Sequence, residues 1–325
     1  MNDNNKPKSK YKIKNWPEYN GSLRQRYSIT VWMSEEAHFG WHSEESSKRG
    51  HPRVYSDKAV EAALTIGAVF GMPLRGTQGF VDSLFVQMGS ELRCPDYTTL
   101  CRRRGGLNIT IPNRRQAEPL HIAIDSTGLK IYGEGEWKVR KHGAGKRRTW
   151  RKLHLAVDVK TGAIIASHLT ENDVGDCEVL PSLLGQVEAP VAAVSGDGAY
   201  DTKDCYEAIA AAKATPKIPP RDGAVVQCPH IITAKYNPAL APRDTAIRRI
   251  NALGGNDEAR KNWKIEIGYH ERSLSETAMF RRKTIFKPTL SARILKNQQQ
   301  ESALIIKALN TMTRLGMPDT YKIAA

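Results

Sequence analysis

Acidic residues are scarce in this 325-residue chain: 34 Asp and Glu stand against 49 Lys and Arg, a formal net charge of +15 (49 − 34). A metabolic enzyme for small neutral substrates has no use for that excess, whereas a polyanionic partner, nucleic acid or an anionic membrane surface, matches it. Long apolar runs are lacking too. The longest, Ala59 to Gly71, is interrupted by Glu61 and is too short to span a bilayer, so no membrane partner is expected. Residues Met1 to Lys10 contain no apolar stretch of the signal-peptide kind. Cysteine is sparse and odd in number, five with no Cys-x2-Cys pair, which argues against a disulfide framework and for reduced thiols in the cytoplasm. His38 and His42 have a helical metal spacing but no evident third ligand. Ser195 lacks the Gly-x-Ser-x-Gly elbow of hydrolases, and Gly133 and Gly135 lack the helix and Lys-Ser/Thr pair of a phosphate loop.

What is present is enough for a folded core: hydrophobic residues make up 40% of the chain, which rules out wholesale disorder. Its length suits two or three domains. Residues 1–15 carry Lys6, Lys8, Lys10, Lys12 and Lys14 against the single acid Asp3, the pattern of a flexible basic arm. Residues 16–116 read as a helical region. Within 56–104 the periodicity predicts helices over Asp57–Phe70 and Leu74–Met88, then a third capped by Asp96 and ending in Arg102, Arg103 and Arg104. Three short helices ending in a basic one are compatible with a helix-turn-helix unit, and equally with three-helix packing that binds no DNA.

From 117 to 325 the pattern changes. Apolar strands are expected at 121–125, 152–159, 163–169, 191–197 and 215–219, with helices at 176–187 and 201–213 between the later ones. That order predicts a mixed α/β domain. Residues 220–262, with four prolines, read as an irregular insertion, and helical periodicity resumes at Tyr269.

Asp125 and Asp197 each end an apolar strand, where the functional groups of open α/β sheets gather. Two such carboxylates from neighbouring strands suit a hard divalent cation, although each alone also fits a turn. Asp158 shows the same local pattern but belongs to a hairpin, and His154 and His168 are expected to pack within strands. Tyr269, Arg272, Glu276 and Lys283 fall within an arc of about 60° on one helix, with Leu274, Ala278 and Ile285 opposite for the core. On geometry alone that stripe also fits a solvated face with Arg272 paired to Glu276. Between Trp137 and Leu153 lie Lys138, Arg140, Lys141, Lys146, Arg147, Arg148, Arg151 and Lys152 without an acid, the densest basic segment of the chain. It reads as a hairpin that tracks DNA phosphates, flanked by Trp137 and Trp150.

The spacing Tyr-x2-Arg-x3-Glu-x6-Lys at 269–283, together with the hexapeptide Gly196 to Asp201, resembles the paired signatures of DDE transposases of bacterial insertion sequences. Residues 125–130 and 133–143 resemble insertion-sequence family 5, and the likeness runs from about Ile13 to Pro318. The resemblance implies an RNase H-like mixed sheet flanked by helices, preceded by a helical DNA-binding region. It implies that Asp125, Asp197 and Glu276 are catalytic and hold two Mg2+ ions, with Mn2+ as a substitute. It implies that Tyr269, Arg272 and Lys283 contact double-stranded DNA near the cleaved end, and that the N-terminal region binds terminal inverted repeats. Target DNA, a homo-oligomeric active complex and a nucleoid-associated location belong to the same expectation. The alternatives are a non-catalytic DNA-binding regulator and another RNase H-like nuclease.

Overall fold

The computed structural model describes residues 11–33, 38–43, 53–111, 118–131, 150–227 and 236–323. In chain order the first elements are β1 (Tyr11–Ile13), α1 (Trp16–Gln25), α2 (Ile29–Trp32), α3 (Asp57–Val69), α4 (Leu74–Gln87) and α5 (Tyr97–Arg104). There follow β2 (Leu120–Ile131), β3 (Trp150–Asp158), β4 (Ile164–Glu171), α6 (Asp176–Leu184), β5 (Val191–Ser195), α7 (Lys203–Ala211) and β6 (Thr215–Lys217). The chain ends with α8 (Ala241–Ala252), α9 (Asp257–Glu266), α10 (Ser273–Phe286), β7 (Thr289–Leu290), α11 (Leu295–Leu315) and β8 (Thr320–Lys322). It divides into two compact units, residues 1–107 with 308–325, and residues 108–307. No helix among the described residues is long and apolar enough to cross a membrane.

In the first unit α3, α4 and α5 pack on one another. Ser56 and Asp96 cap α3 and α5 by accepting from the Ala59 and Thr98 amides, as their positions before apolar periodic runs demand. Val60, Leu64, Ile66, Val81, Phe85 and Leu100 are buried between them. Two boundaries differ from the sequence reading. Residues 11–13 are not part of a flexible arm but a strand, β1, paired antiparallel with β8. The C-terminal segment therefore belongs with the N-terminal helices and not with the α/β unit. Asn15 reinforces the pairing by donating to the Met317 carbonyl at 3.1 Å and accepting from the Asp319 amide at 2.7 Å. Contacts such as that between Asn15 and Asp319, 304 residues apart, leave no local trace in sequence. Residues 1–10 lie outside the described residues.

The second unit is built on a mixed sheet in the order β4-β3-β2-β5-β6, with β7 added to β2. β2, β3 and β4 are antiparallel neighbours, and β5, β6 and β7 run parallel to their partners. The helices that link the parallel strands cover the sheet, as a crossover requires. This mixed sheet flanked by helices fits an RNase H-like fold. Leu120, Ile122 and Ile124 of β2 point into a core with Val179, Leu180 and Leu183 of α6 and Tyr206 and Ile209 of α7. Each fully buried Leu or Ile there contributes about 1.5–3 kcal/mol. Strand alternation turns His121, Ala123 and Asp125 to the opposite face, on which α10 lies.

The described residues from 238 to 262 are not irregular: they form a 3-10 turn at Pro238–Leu240, α8 and the first part of α9, while 228–235 lie outside the described residues. Pro238 and Pro242 stand at first-turn positions, where a missing N–H leaves no bond unmade, so they start helices instead of breaking them.

Candidate active site

β2 continues through Ser126, Thr127 and Gly128, so Asp125 stands mid-strand, opposite Leu155 of β3, and not at a strand end. Pairing with β3 overrides the local turn propensity of those residues. On the other edge of β2, β5 pairs only up to Ala123 and β7 joins only at Lys130. Between them that edge has no strand partner among the described residues, and Asp125 stands in the gap.

Asp197 lies two residues beyond the end of β5, and not on the strand expected at 191–197, and caps the 3-10 turn Gly198–Tyr200, accepting from the Ala199 amide at 2.9 Å. Gly196 is required beside it: a Cβ there would lie 2.9 Å from the Tyr200 ring and 3.1 Å from Ile124. The turn is clamped by Arg221, whose guanidinium donates to the Gly198 and Ala199 carbonyls at 2.9 and 3.0 Å. Asp201 completes the brace, accepting from Arg243 of α8 at 2.8 Å and from the Arg221 amide at 2.8 Å. The stretch 220–262 thus supports the Asp197 loop, a role its sequence does not announce.

Glu276 lies in the first turn of α10. Tyr269 and Arg272 precede that helix in a 3-10 turn, Tyr269–Arg272, because Gly268 before them adopts φ +68°. The helical course continues through Ser273, so the stripe of side chains survives the change of pitch. The buried face of α10 is Ser275, Ala278, Met279, Arg282 and Phe286, with Leu274 and Ile285 only partly covered. Arg282 is a buried cation that caps the helix by donating to the Lys287 carbonyl at 2.6 Å, which an apolar pattern does not reveal. Burial also lowers its affinity for a proton. Lys283 is half-buried two turns beyond Glu276, and burial lowers its pKa.

Arg272 joins the acids. Its guanidinium donates to Asp125 Oδ2 at 3.0 Å and, through the other terminal nitrogen, to Glu276 Oε1. It also lies 5.7 Å from the Tyr269 ring centre. Asp125 is the deeper acid, with 18% of its side chain exposed against 55% for Glu276. Burial raises the Asp125 pKa; the Ser126 amide and Arg272 oppose the shift, and the charges of Asp197 and Glu276 add to it. Burial is also the leading cause that raises the Tyr269 pKa and keeps its hydroxyl a donor. The two carboxylates that meet on Arg272, Asp125 and Glu276, are oxygen donors of the kind that suit Mg2+ or Mn2+ better than softer metals. As placed, no three His, Cys, Asp or Glu side chains among the described residues form a ready metal cage; the guanidinium supplies the positive charge between Asp125 and Glu276.

The other expected contacts divide. Lys146, Arg147 and Arg148, with Trp137, lie outside the described residues. Arg151 is held by Gln298 at 2.9 Å. Arg103 is tied to Asp57 at 2.6 Å and to the Tyr55 carbonyl, whereas Arg102 is exposed at the end of α5. Asp158 is a turn carboxylate that accepts from the Lys160 and Thr161 amides. His154 is buried against Thr170, and His168 is within 3.1 Å of Ser182. Ser195, which the sequence offers only as a hydrolase nucleophile without its elbow, meets three groups to which the sequence gives no role, His121, Glu271 and Lys217, beside the Tyr269–Arg272 turn. The one available signal was that Glu271 directly precedes Arg272. Compared with known families, residues 24–134 and residues 116–311 each match a transposase DDE domain.

Proposed function

The chain belongs to the transposase DDE-domain family, and on that premise we propose that it is the transposase of a family 5 insertion sequence. It is an enzyme of metal-dependent DNA cleavage and strand transfer. In our reading its substrates are the element's terminal inverted repeats and a target duplex, and two Mg2+ ions, replaceable by Mn2+, are held by Asp125, Asp197 and Glu276. The observation that carries this reading is the meeting of Asp125 and Glu276 on one guanidinium, with the charge of Asp197 felt at Asp125. Acids 151 residues apart along the chain (276 − 125) would not share a cation by chance packing of a solvated helix.

When bound, the divalent metal supplies Lewis acidity at the scissile phosphate and an activated nucleophile at neutral pH. The chain's own residues do the rest. Asp125 presents its oxygens from β2 and Asp197 from the turn that follows the adjacent strand β5, and Glu276 adds a third group from a helix, where its longer side chain adjusts its reach. Arg272 and Lys283 bind phosphate oxygens on either side of the cleaved bond, Arg272 through its planar fork. Tyr269, kept protonated by burial, donates a hydrogen bond beside them.

Sequence reading falls to the first unit. Thr98 and Thr99 open α5 and face base edges, and Arg102 and Arg104 contact the backbone. Lys146, Arg147 and Arg148 track flanking phosphates. Because an element has two ends, a homo-oligomer is the active form. Glu276→Gln tests the reading: it keeps the shape and removes a charged ligand. Cleavage of element ends should fall by more than the roughly 10–100-fold that follows loss of an outer-sphere metal partner, while gel-shift affinity stays within about twofold. Full cleavage by this variant would remove Glu276 from the chemistry.

A further inference from the structure

The face of the sheet that carries Asp125 also carries a chain of polar groups that neither the core nor the DNA contacts use. His121 Nε2 lies 2.8 Å from Ser195 Oγ, and His121 Nδ1 lies 3.1 Å from Glu271 Oε2. Lys217 Nζ is 3.9 Å from the same Glu271 oxygen. The supports come from three adjacent strands, β2, β5 and β6, whose register sets His121 beside Ala193 and Ser195 beside Lys217. Glu271 itself belongs to the Tyr269–Arg272 turn.

The order Ser-His-Glu is that of a hydrolase triad, but Ser195 is wholly buried, so no substrate reaches its hydroxyl. Burial, with Lys217 adding to it, lowers the His121 pKa against the opposing pull of Glu271 and Asp158, which keeps the ring neutral. Its Nδ1–H then donates to Glu271, and its Nε2 accepts the Ser195 proton. The hydroxyl, the ring and the ammonium thus converge on one oxygen of Glu271.

We propose that Ser195, His121 and Lys217 anchor Glu271, and that this anchor positions the neighbouring Arg272 and Tyr269 over Asp125 and Glu276. The need for an anchor is visible in the backbone. Gly268, at φ +68°, turns the chain sharply after α9, and a four-residue 3-10 turn has poor hydrogen-bond geometry of its own. Without a tether the guanidinium would not hold its 3.0 Å contact with Asp125. His121 and Glu271 are positioning residues: they touch neither the phosphate nor the metal ligands. The geometry stands by itself, and its consequence for catalysis rests on the transposase reading.

The test is hydrogen exchange on the full-length protein, followed by single-turnover cleavage. In Glu271→Ala and His121→Ala, amides of residues 269–276 should exchange about tenfold faster, the effect of one lost hydrogen bond, with Ile122 and Ile124 unchanged. Glu271→Gln still accepts from His121 and should keep most of the protection. The double Ala variant should be no worse than either single one. Cleavage by the Ala variants should fall about 100-fold, as expected for a displacement of about 1 Å. Unchanged exchange at 269–276, faster exchange spread over the whole sheet, or a Gln variant as exposed as the Ala variant would each overturn the anchor. If the wild-type protein cleaves no DNA end, only the functional reading fails, because the exchange result decides the anchor without it.

Discussion

Arg272 reaches Asp125 at 3.0 Å from 147 residues further along the chain, and the same guanidinium holds Glu276. The cation is not idle: two carboxylates that repel each other are held together by it before any metal arrives. If Asp125 and Glu276 hold the metal as proposed, Arg272 competes with it for the same oxygens. Arg272→Ala should bind Mn2+ about fivefold more tightly, the effect of removing roughly 1 kcal/mol of competing charge interaction, yet cleave more slowly for want of its phosphate contact. Mn2+ titration by electron paramagnetic resonance checks this. Weaker Mn2+ binding would mean that Arg272 supports the site without competing for it.

Gly196→Ala probes the Asp197 loop. The added methyl would lie 2.9 Å from a Tyr200 ring that is itself buried, so the strain cannot escape into solvent. A loss of roughly 1–3 kcal/mol in urea unfolding is expected, with a larger proportional loss of cleavage, because the displaced backbone is the one that carries Asp197.

The arginines of α5 differ in what holds them: Arg103 is tied to Asp57, and Arg102 is exposed. Arg103→Ala should lower stability by roughly 1–2 kcal/mol, since it removes a charged hydrogen bond to Asp57, and should leave the salt dependence of DNA binding unchanged. Arg102→Ala should leave the melting temperature alone and reduce the salt slope by about 0.9, one phosphate contact. Arg151→Ala, in the basic segment, should follow Arg103, because Gln298 already holds it.

His154 gives the protein an acid limit. Burial, its leading cause, lowers its pKa to about 4, with Lys152 and His168 adding and Asp176 opposing. The unfolded chain binds a proton at its ordinary value of 6.5, so between 6.5 and about 4 the unfolded state holds more protons than the folded one. Stability from the neutral ring is complete above 6.5 and is lost as pH falls through that window, at up to about 1.4 kcal/mol per pH unit. His154→Gln should flatten this part of the melting-temperature curve, and an unchanged curve would place the acid sensitivity elsewhere.

The sequence by itself determined the excess of positive charge, the three helices of 56–104, two of them capped by Ser56 and Asp96, and the order along the chain of the strands and helices from β2 to β6, and it marked Asp125, Asp197 and Glu276 as candidates. These are local matters of composition, of side-chain period and of short spacings, and each is readable within a window of some fifteen residues. Asp158 was readable too, as a hairpin carboxylate, since its partners Lys160 and Thr161 lie within three residues. Only the tertiary structure decided what lies far apart in the chain. It extended β2 past Asp125, because pairing with β3 outweighs the turn preference of Ser126 to Gly128. It moved β8 to the N-terminal unit, and it put α8 and α9 where an irregular stretch was expected, bracing the Asp197 loop through Arg243. It set Arg272 between two acids and gathered Ser195, His121 and Lys217 around Glu271. In each case the deciding quantity is burial or a hydrogen bond between residues distant in sequence, which no local periodicity encodes.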